Sequence, residues 1–210
     1  MTDPAVTVEE TGVESFLERL AAPSASAGGG AAAALTAASA AALVAMVAGI
    51  AARHGAGDAP GIAAEADTLR RRLTDVIGLD VEAYGRVLAA RRRRDGSRAA
   101  ALRDALVAAT EIPLEVAAAG VRILELCAAV AGGARRSTAA DLGVAGVLAA
   151  AAADGAAVTA RANLETLDAA DFVADARRRL EALRADAEAH RARLARAFPP
   201  TITGAEAASR

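Results

Sequence analysis

The stretch from Ser24 to Ala52 constrains the fold of this chain more than any other feature. It carries no charged side chain and consists mostly of Ala, Gly, Ser and Thr. It is long enough to span a membrane as a helix. Large apolar residues are too few for that role, because membrane insertion depends mainly on Leu, Ile, Phe and Val. We therefore predict a helix over about 31–53 at the centre of the protein, buried on all sides.

The composition predicts an all-α fold. About 65 of the 210 residues are alanine, and aromatic residues make up only 2%. Alanine is the best helix former but buries little area, so the core must come from many close-packed helices. We expect an antiparallel bundle of five to six helices with the small-residue helix at its centre. Because alanine supplies so little core area, we also expect a second subunit to cover that helix, which makes the protein a homodimer.

Charge and cysteine content exclude several classes of function. All 24 basic residues are arginine, so lysine chemistry is excluded, and a net charge of -2 does not suggest a nucleic-acid partner. The single Cys127 and the distant His54 and His190 offer neither a disulfide framework nor metal-ligand spacing. We expect no metal and no tightly bound cofactor. The acidic N-terminus does not resemble a signal peptide, so the sequence predicts a cytoplasmic protein with no membrane partner.

Turn residues divide the chain into helices. We predict helices at about 12–21, 31–53, from Pro60 to about 94, from Ser97 to about 131, from Thr138 to about 166, and at about 168–197. Pro113 should kink the fourth of these. The predicted organisation is a flexible N-terminus over 1–11, a single helical domain over 12–198 and a disordered tail over 199–210.

Asp80 is the most informative polar residue. It interrupts an apolar stripe of the third predicted helix, with Val76 one turn before it and Tyr84 one turn after it. Burial of a carboxylate there would raise its pKa and suit a general acid or base. The equally simple alternative is a surface aspartate, or one that pairs with an arginine of a neighbouring helix.

Three other segments allow both a structural and a functional interpretation. Gly28, Gly29 and Gly30 could let a ligand approach the start of a helix, or they could form a flexible turn. Asp141 could belong to a site, or to a capping box with Thr138. The arginines at 91–94 and at 135–136 could bind a polyanionic ligand tail, or simply be solvated at helix ends.

Taken in order, four segments resemble the cyclodeaminase/cyclohydrolase family of folate enzymes. They are FLERLAAPSASAGGGAAAALTAASAAALVAMVA at 16–48, LDVEAYGRV at 79–87, EIPLEVA at 111–117 and ADLGVAGVLAAAAADGAAVTARANL at 140–164. The resemblance implies a dimeric all-helical bundle. It also implies an enzyme that either hydrolyses methenyltetrahydrofolate to formyltetrahydrofolate or cyclodeaminates formiminotetrahydrofolate.

The resemblance implies one folate pocket with Asp80 as the base and Asp141 as a second catalytic acid. The expected substrate-binding residues are Ser24, Ser26, Gly28, Gly29, Gly30, Arg53, His54, Tyr84, Arg135 and Arg136, and Arg91 and Arg92 are further candidates for the glutamate tail. The chain departs from the family in its loop before the glycines, in the turn at 53–55 and in Ala134 to Arg136. The alternative function is therefore a non-catalytic helical dimer that retains the family scaffold.

Overall fold

The computed structural model describes residues 8–23 and 27–197 and confirms the all-α prediction. Its helices are α1 (Val8–Ala21), α2 (Gly29–Arg53), α3 (Ala59–Arg92), α4 (Arg98–Val130), α5 (Ala139–Glu165) and α6 (Ala170–Ala197). A single 3-10 turn at Ala131–Gly133 follows α4, and the described residues contain no strand. The predicted tail over 199–210 lies outside the described residues. The predicted domain boundaries therefore stay predictions.

The long helices run up and down, as expected for an antiparallel bundle. Between α3 and α4, Arg72 pairs with Glu115 and Arg122 pairs with Glu65, each with an N–O distance of 2.6 Å. Residue numbers therefore rise along α3 as they fall along α4. These pairs are substantially exposed, so they define the register more than they stabilise the fold.

Helix α2 lies in the core, packed against α3, α4 and α5. Its buried face consists of alanine, valine and Gly30, which allows close approach of the neighbouring helices. One stripe remains partly or fully exposed in the protomer: Ala32, Leu35, Ser39, Leu43, Met46 and Ile50. Within a single protomer α2 is therefore buried on every side except along this stripe. The prediction of burial on all sides is wrong for that one face.

Two helices, α2 and α5, are long and apolar enough to cross a membrane. In the bundle, 50% of the apolar window of α2 and 44% of that of α5 are buried by protein. Core helices of soluble proteins pass the same length and hydropathy criteria. The packing of α2 against three helices favours the interpretation as a core helix.

Pro113 does not interrupt α4, which continues from Arg98 to Val130. Proline has no backbone N–H, so the carbonyl of Ala109, one turn earlier, lacks its usual helical donor. The side chain of Asn163 in α5 replaces that donor: its Nδ2 atom donates to the Ala109 oxygen at 3.0 Å. The freed carbonyl thus links α4 to α5, and the predicted kink at Pro113 stays a prediction.

Candidate functional site

One cleft of about 410 Å³ opens where the start of α2 meets the second half of α3 and the end of α5. Backbone atoms, apolar side chains and a few polar groups share its walls. The lining residues are Ala27, Gly28, Gly29, Gly30, Asp80, Val81, Tyr84, Val87, Arg91, Leu106, Ala109, Thr159 and Asn163. An apolar pocket with a small number of polar groups is typical of small-molecule sites.

Asp80 lies in the wall of this cleft and faces the first turn of α2. Its carboxylate is half-buried and accepts a hydrogen bond from the backbone N–H of Ala31. Burial raises the pKa of Asp80 above its usual value of 3.8, and the Ala31 bond opposes that rise. The arrangement fits the general-base interpretation of Asp80, because desolvation brings the basicity of the carboxylate closer to neutral pH. Within the described part of the chain, no arginine side chain forms an ion pair with Asp80.

Gly30 is required by the position of the Asp80 carboxylate. A Cβ atom added at Gly30 would lie 2.7 Å from Asp80 Cγ and 2.8 Å from Asp80 Oδ2, which is closer than real Cβ atoms come. Gly28 differs, because a Cβ atom there would meet nothing within 4 Å. The glycine run is thus more than a flexible turn, since one of its members makes room for the carboxylate.

The other walls combine one exposed ring with polar groups from α5. Tyr84, the chain's single tyrosine, is 43% exposed one turn after Asp80. Thr159 and Asn163 are four residues apart and therefore lie on the same face of α5. Arg91, in the last turn of α3, supplies a positive charge to the cleft.

Several predicted site residues lie at the opposite end of the bundle. Arg53 ends α2, His54 follows it, and Asp141 stands in the first turn of α5. At about 1.5 Å per residue, Arg53 is about 35 Å from Gly30 along α2. By the same measure Asp141 is about 27 Å from Thr159 along α5. The prediction that Asp80 and Asp141 border one cleft is therefore wrong for a single protomer.

The remaining predicted residues divide in the same way. Gly28, Gly29, Gly30, Asp80 and Tyr84 come together at the cleft. The exposed Arg135 and Arg136 precede α5 and so belong to the Asp141 end. Ser24 and Ser26 lie outside the described residues.

The capping box that was one of the two alternatives for Asp141 does not form. Thr138 is the N-cap residue of α5 but makes no capping hydrogen bond through its side chain. Its hydroxyl donates instead to the carbonyl of Arg135 at 3.1 Å. Asp141 therefore acts on its helix through its charge near the N-terminus and not as part of a reciprocal cap.

Neither metal ligands nor a reactive thiol stand out in the described part of the chain. It contains no group of three or more His, Cys, Asp or Glu side chains that could hold a metal ion. Cys127 is fully buried, and burial raises the pKa of its thiol to about 12. A thiol with that pKa is almost entirely protonated at neutral pH, so Cys127 is a core residue and not a nucleophile.

Thr159 and Asn163 are cleft residues that sequence reasoning did not single out. They follow Asp80 by about eighty positions and sit in an alanine-rich helix without a polar motif. The available signal was indirect: a proline inside α4 leaves a carbonyl that needs a donor. Asn163, the only asparagine of the chain, is the donor that meets it.

Comparison with known proteins agrees with this architecture. A family model described as formiminotransferase-cyclodeaminase matches residues 12–182. The chain belongs to this family. It is 32% identical over 192 residues to a methenyltetrahydrofolate cyclohydrolase of Methylorubrum extorquens, a match that covers 84% of this chain and 90% of that protein. The fold is similar to the crystal structure of formiminotetrahydrofolate cyclodeaminase from Thermotoga maritima, with a TM-score of 0.84, 24% identity, and coverage of 90% of this chain and 96% of that chain.

Proposed function

We propose that this protein is a folate one-carbon enzyme that hydrolyses methenyltetrahydrofolate to formyltetrahydrofolate. The observation that carries the proposal is the half-buried Asp80 carboxylate, which faces the start of α2 within a cleft of about 410 Å³. The similarity to a cyclohydrolase over most of both chains supports hydrolysis. The similarity to a cyclodeaminase supports a common fold, and cyclodeamination of formiminotetrahydrofolate is the second candidate reaction. A non-catalytic scaffold is not favoured.

The chemistry of the substrate assigns a role to Asp80. The methenyl carbon bridges two nitrogens in a cationic amidinium, so it is electron-poor and open to attack by water. The ionised Asp80 takes a proton as the water oxygen bonds to that carbon, which yields a neutral tetrahedral intermediate. The bond from carbon to one nitrogen then breaks. That nitrogen receives the proton from Asp80, while the hydroxyl proton of the intermediate is released to solvent.

The surroundings of Asp80 suit this reaction. The negative carboxylate offsets the positive charge of the amidinium, which helps to hold the substrate in the cleft. Tyr84, exposed beside the carboxylate, offers a flat face for the pterin ring. Arg91 is a candidate partner for a carboxylate of the glutamate tail, since guanidinium groups bind carboxylates well. The absence of a tightly bound cofactor and the cytoplasmic location stay predictions.

A direct assay tests the proposed reaction. The wild-type protein should remove the near-ultraviolet absorbance of methenyltetrahydrofolate faster than buffer does. Formiminotetrahydrofolate, followed in parallel by the ammonia released, separates hydrolysis from cyclodeamination. Turnover of neither folate above background would overturn the proposal.

We also propose that the protein is a homodimer that buries an apolar face formed by α2 and α5. The exposed stripe of α2 from Ala32 to Ile50 carries no charge. On α5, which packs beside α2, Val144, Val147 and Val158 are 50%, 69% and 65% exposed. Apolar surface of this kind on two adjacent helices marks an interaction surface, and a two-fold dimer pairs it with itself.

Light scattering tests the dimer at micromolar concentration. The wild type should show twice the mass of one chain, and Val147→Glu should shift it toward the monomer. Val13→Glu is the matched control, because Val13 is also well exposed, at 58%, but lies on α1. A monomeric wild type, or equal effects of both variants, would contradict the proposed interface.

A further inference from the structure

Asn163 has one defined orientation because of Pro113. The Ala109 carbonyl has no helical donor, since the residue four positions later is a proline. Only the NH2 end of an amide side chain can donate to a carbonyl, and Nδ2 of Asn163 does so at 3.0 Å. The amide oxygen is therefore held at the other end of the group, and Asn163 lines the cleft.

Thr159 is constrained in a similar way. Its hydroxyl donates to the backbone carbonyl of Gly155 at 3.2 Å, so its hydrogen is engaged within α5. The oxygen then has lone pairs to offer to a ligand. The α5 wall of the cleft consequently presents hydrogen-bond acceptors from two residues one turn apart. The start of α2 lies beside this wall, since a Cβ atom at Gly29 would be 3.5 Å from Thr159 Oγ1, and its backbone N–H groups are donors.

We infer that Asn163 orients the substrate by accepting a hydrogen bond from an N–H or amino group of the pterin edge, and that Pro113 positions Asn163 for this task. The inference rests on the proposed folate function. The edge of a reduced pterin carries amino and ring N–H donors beside a carbonyl acceptor. Acceptors on α5 beside donors at the start of α2 match that edge in one orientation and disfavour heterocycles without the donors.

Two single variants separate the roles of the two residues. Asn163→Leu keeps a similar size but removes both polar ends, so KM should rise about three- to tenfold, as for one lost hydrogen bond, with kcat unchanged.

Pro113→Ala returns a backbone N–H to the Ala109 carbonyl, which displaces Asn163 Nδ2 and releases the side chain. Its KM should rise by a smaller factor. Pro60→Ala is the matched control, because Pro60 stands in the first turn of α3, where no helical donor is missing.

The double variant Pro113→Ala/Asn163→Leu tests whether the two residues act as one unit. Its KM should equal that of Asn163→Leu, since there is no longer an amide to position. It also satisfies the Ala109 carbonyl, so it remains informative if Asn163→Leu alone does not fold. A further rise of KM in the double variant would overturn the positioning role of Pro113.

A binding measurement keeps this inference distinct from the proposed reaction. Calorimetric titration with tetrahydrofolate should give a Kd that rises about three- to tenfold in Asn163→Leu. An inactive wild type that binds tetrahydrofolate with this pattern would refute the reaction but support the orienting role. An unchanged Kd and KM in Asn163→Leu, or a wild type that does not bind tetrahydrofolate, would refute the orienting role.

Discussion

The two ends of the bundle carry the same kinds of residues but differ in what surrounds them. At one end Asp80 of α3 faces the start of α2, and at the other Asp141 stands in the first turn of its own helix, α5. The first carboxylate is desolvated by a neighbouring helix and lies in a cleft. The second interacts with the N-terminus of the helix that carries it. An acid aimed at the start of a different helix is thus placed for chemistry, whereas an acid at the start of its own helix stabilises that helix.

Replacement of Asp80 should produce the largest difference between the two ends. Asp80→Asn keeps the size of the side chain and an acceptor for the Ala31 N–H, but it removes the base. Loss of a general base typically lowers the rate by about a hundredfold to ten-thousandfold, so kcat for methenyltetrahydrofolate should fall within that range. Equal kcat values in Asp80→Asn and the wild type would exclude Asp80 from the mechanism.

The glycines before α2 should give the next largest effect. Gly30→Ala places a methyl group against the Asp80 carboxylate, and displacement of a reacting group by about 1 Å can cost about a hundredfold in rate. Gly28→Ala is the matched control, because its methyl group meets open space. We expect kcat/KM to fall steeply in the first variant and little in the second. Similar losses in both would mean that loop flexibility, and not the close approach, matters.

The stability of the wild type should depend on pH in the direction that a raised pKa of Asp80 produces. Since the folded state raises the pKa of Asp80, its contribution to stability is present below the unfolded pKa and is lost as pH rises through the folded value. Asp80→Asn has no such loss. Its melting temperature relative to the wild type should therefore increase as the pH rises from 3.8 through the raised pKa of Asp80. In the wild type kcat/KM should rise with pH, with a midpoint above 3.8. A pH-independent difference in melting temperature would contradict the buried carboxylate.

The smallest effect is expected at the other end of the bundle. Asp141→Asn removes a negative charge from the first turn of α5, which should lower the free energy of unfolding by about 0.3–1 kcal/mol. Activity should not change, because Asp141 does not line the cleft. Chemical denaturation and the absorbance assay measure the two quantities. A large loss of kcat in Asp141→Asn would mean that the second end takes part in catalysis through a partner subunit.

Helical periodicity predicted which face each residue occupies, but not its level along the bundle. The stripe through Val76, Asp80 and Tyr84 was readable because steps of three and four residues return to the same face. The order of the segments on which the family resemblance rests does not give the distances between the site residues. A helix over 31–53 is about 35 Å long at 1.5 Å per residue, so its two ends already could not border one cleft in a single protomer.

Other features depended on contacts that the sequence does not encode locally. Asn163 reaches Ala109 only once α4 and α5 have adopted their register, which follows from the packing of small residues over many turns. Gly120 shows this dependence: a Cβ atom there would lie 2.9 Å from the carbonyl oxygen of Ala149. An alanine-rich sequence is compatible with many similar registers between two helices. Close backbone contacts such as that of Gly120 select one of them.

The place of Tyr84 has a spectroscopic consequence. The chain contains no tryptophan and no other tyrosine, so its tyrosine emission comes from this one ring. That ring stands 43% exposed at the wall of the cleft, where an absorbing pterin would lie within energy-transfer range. The protein therefore carries an intrinsic fluorophore that reports on one site without labelling, and a stopped-flow trace of its quenching would follow ligand arrival before any bond is broken.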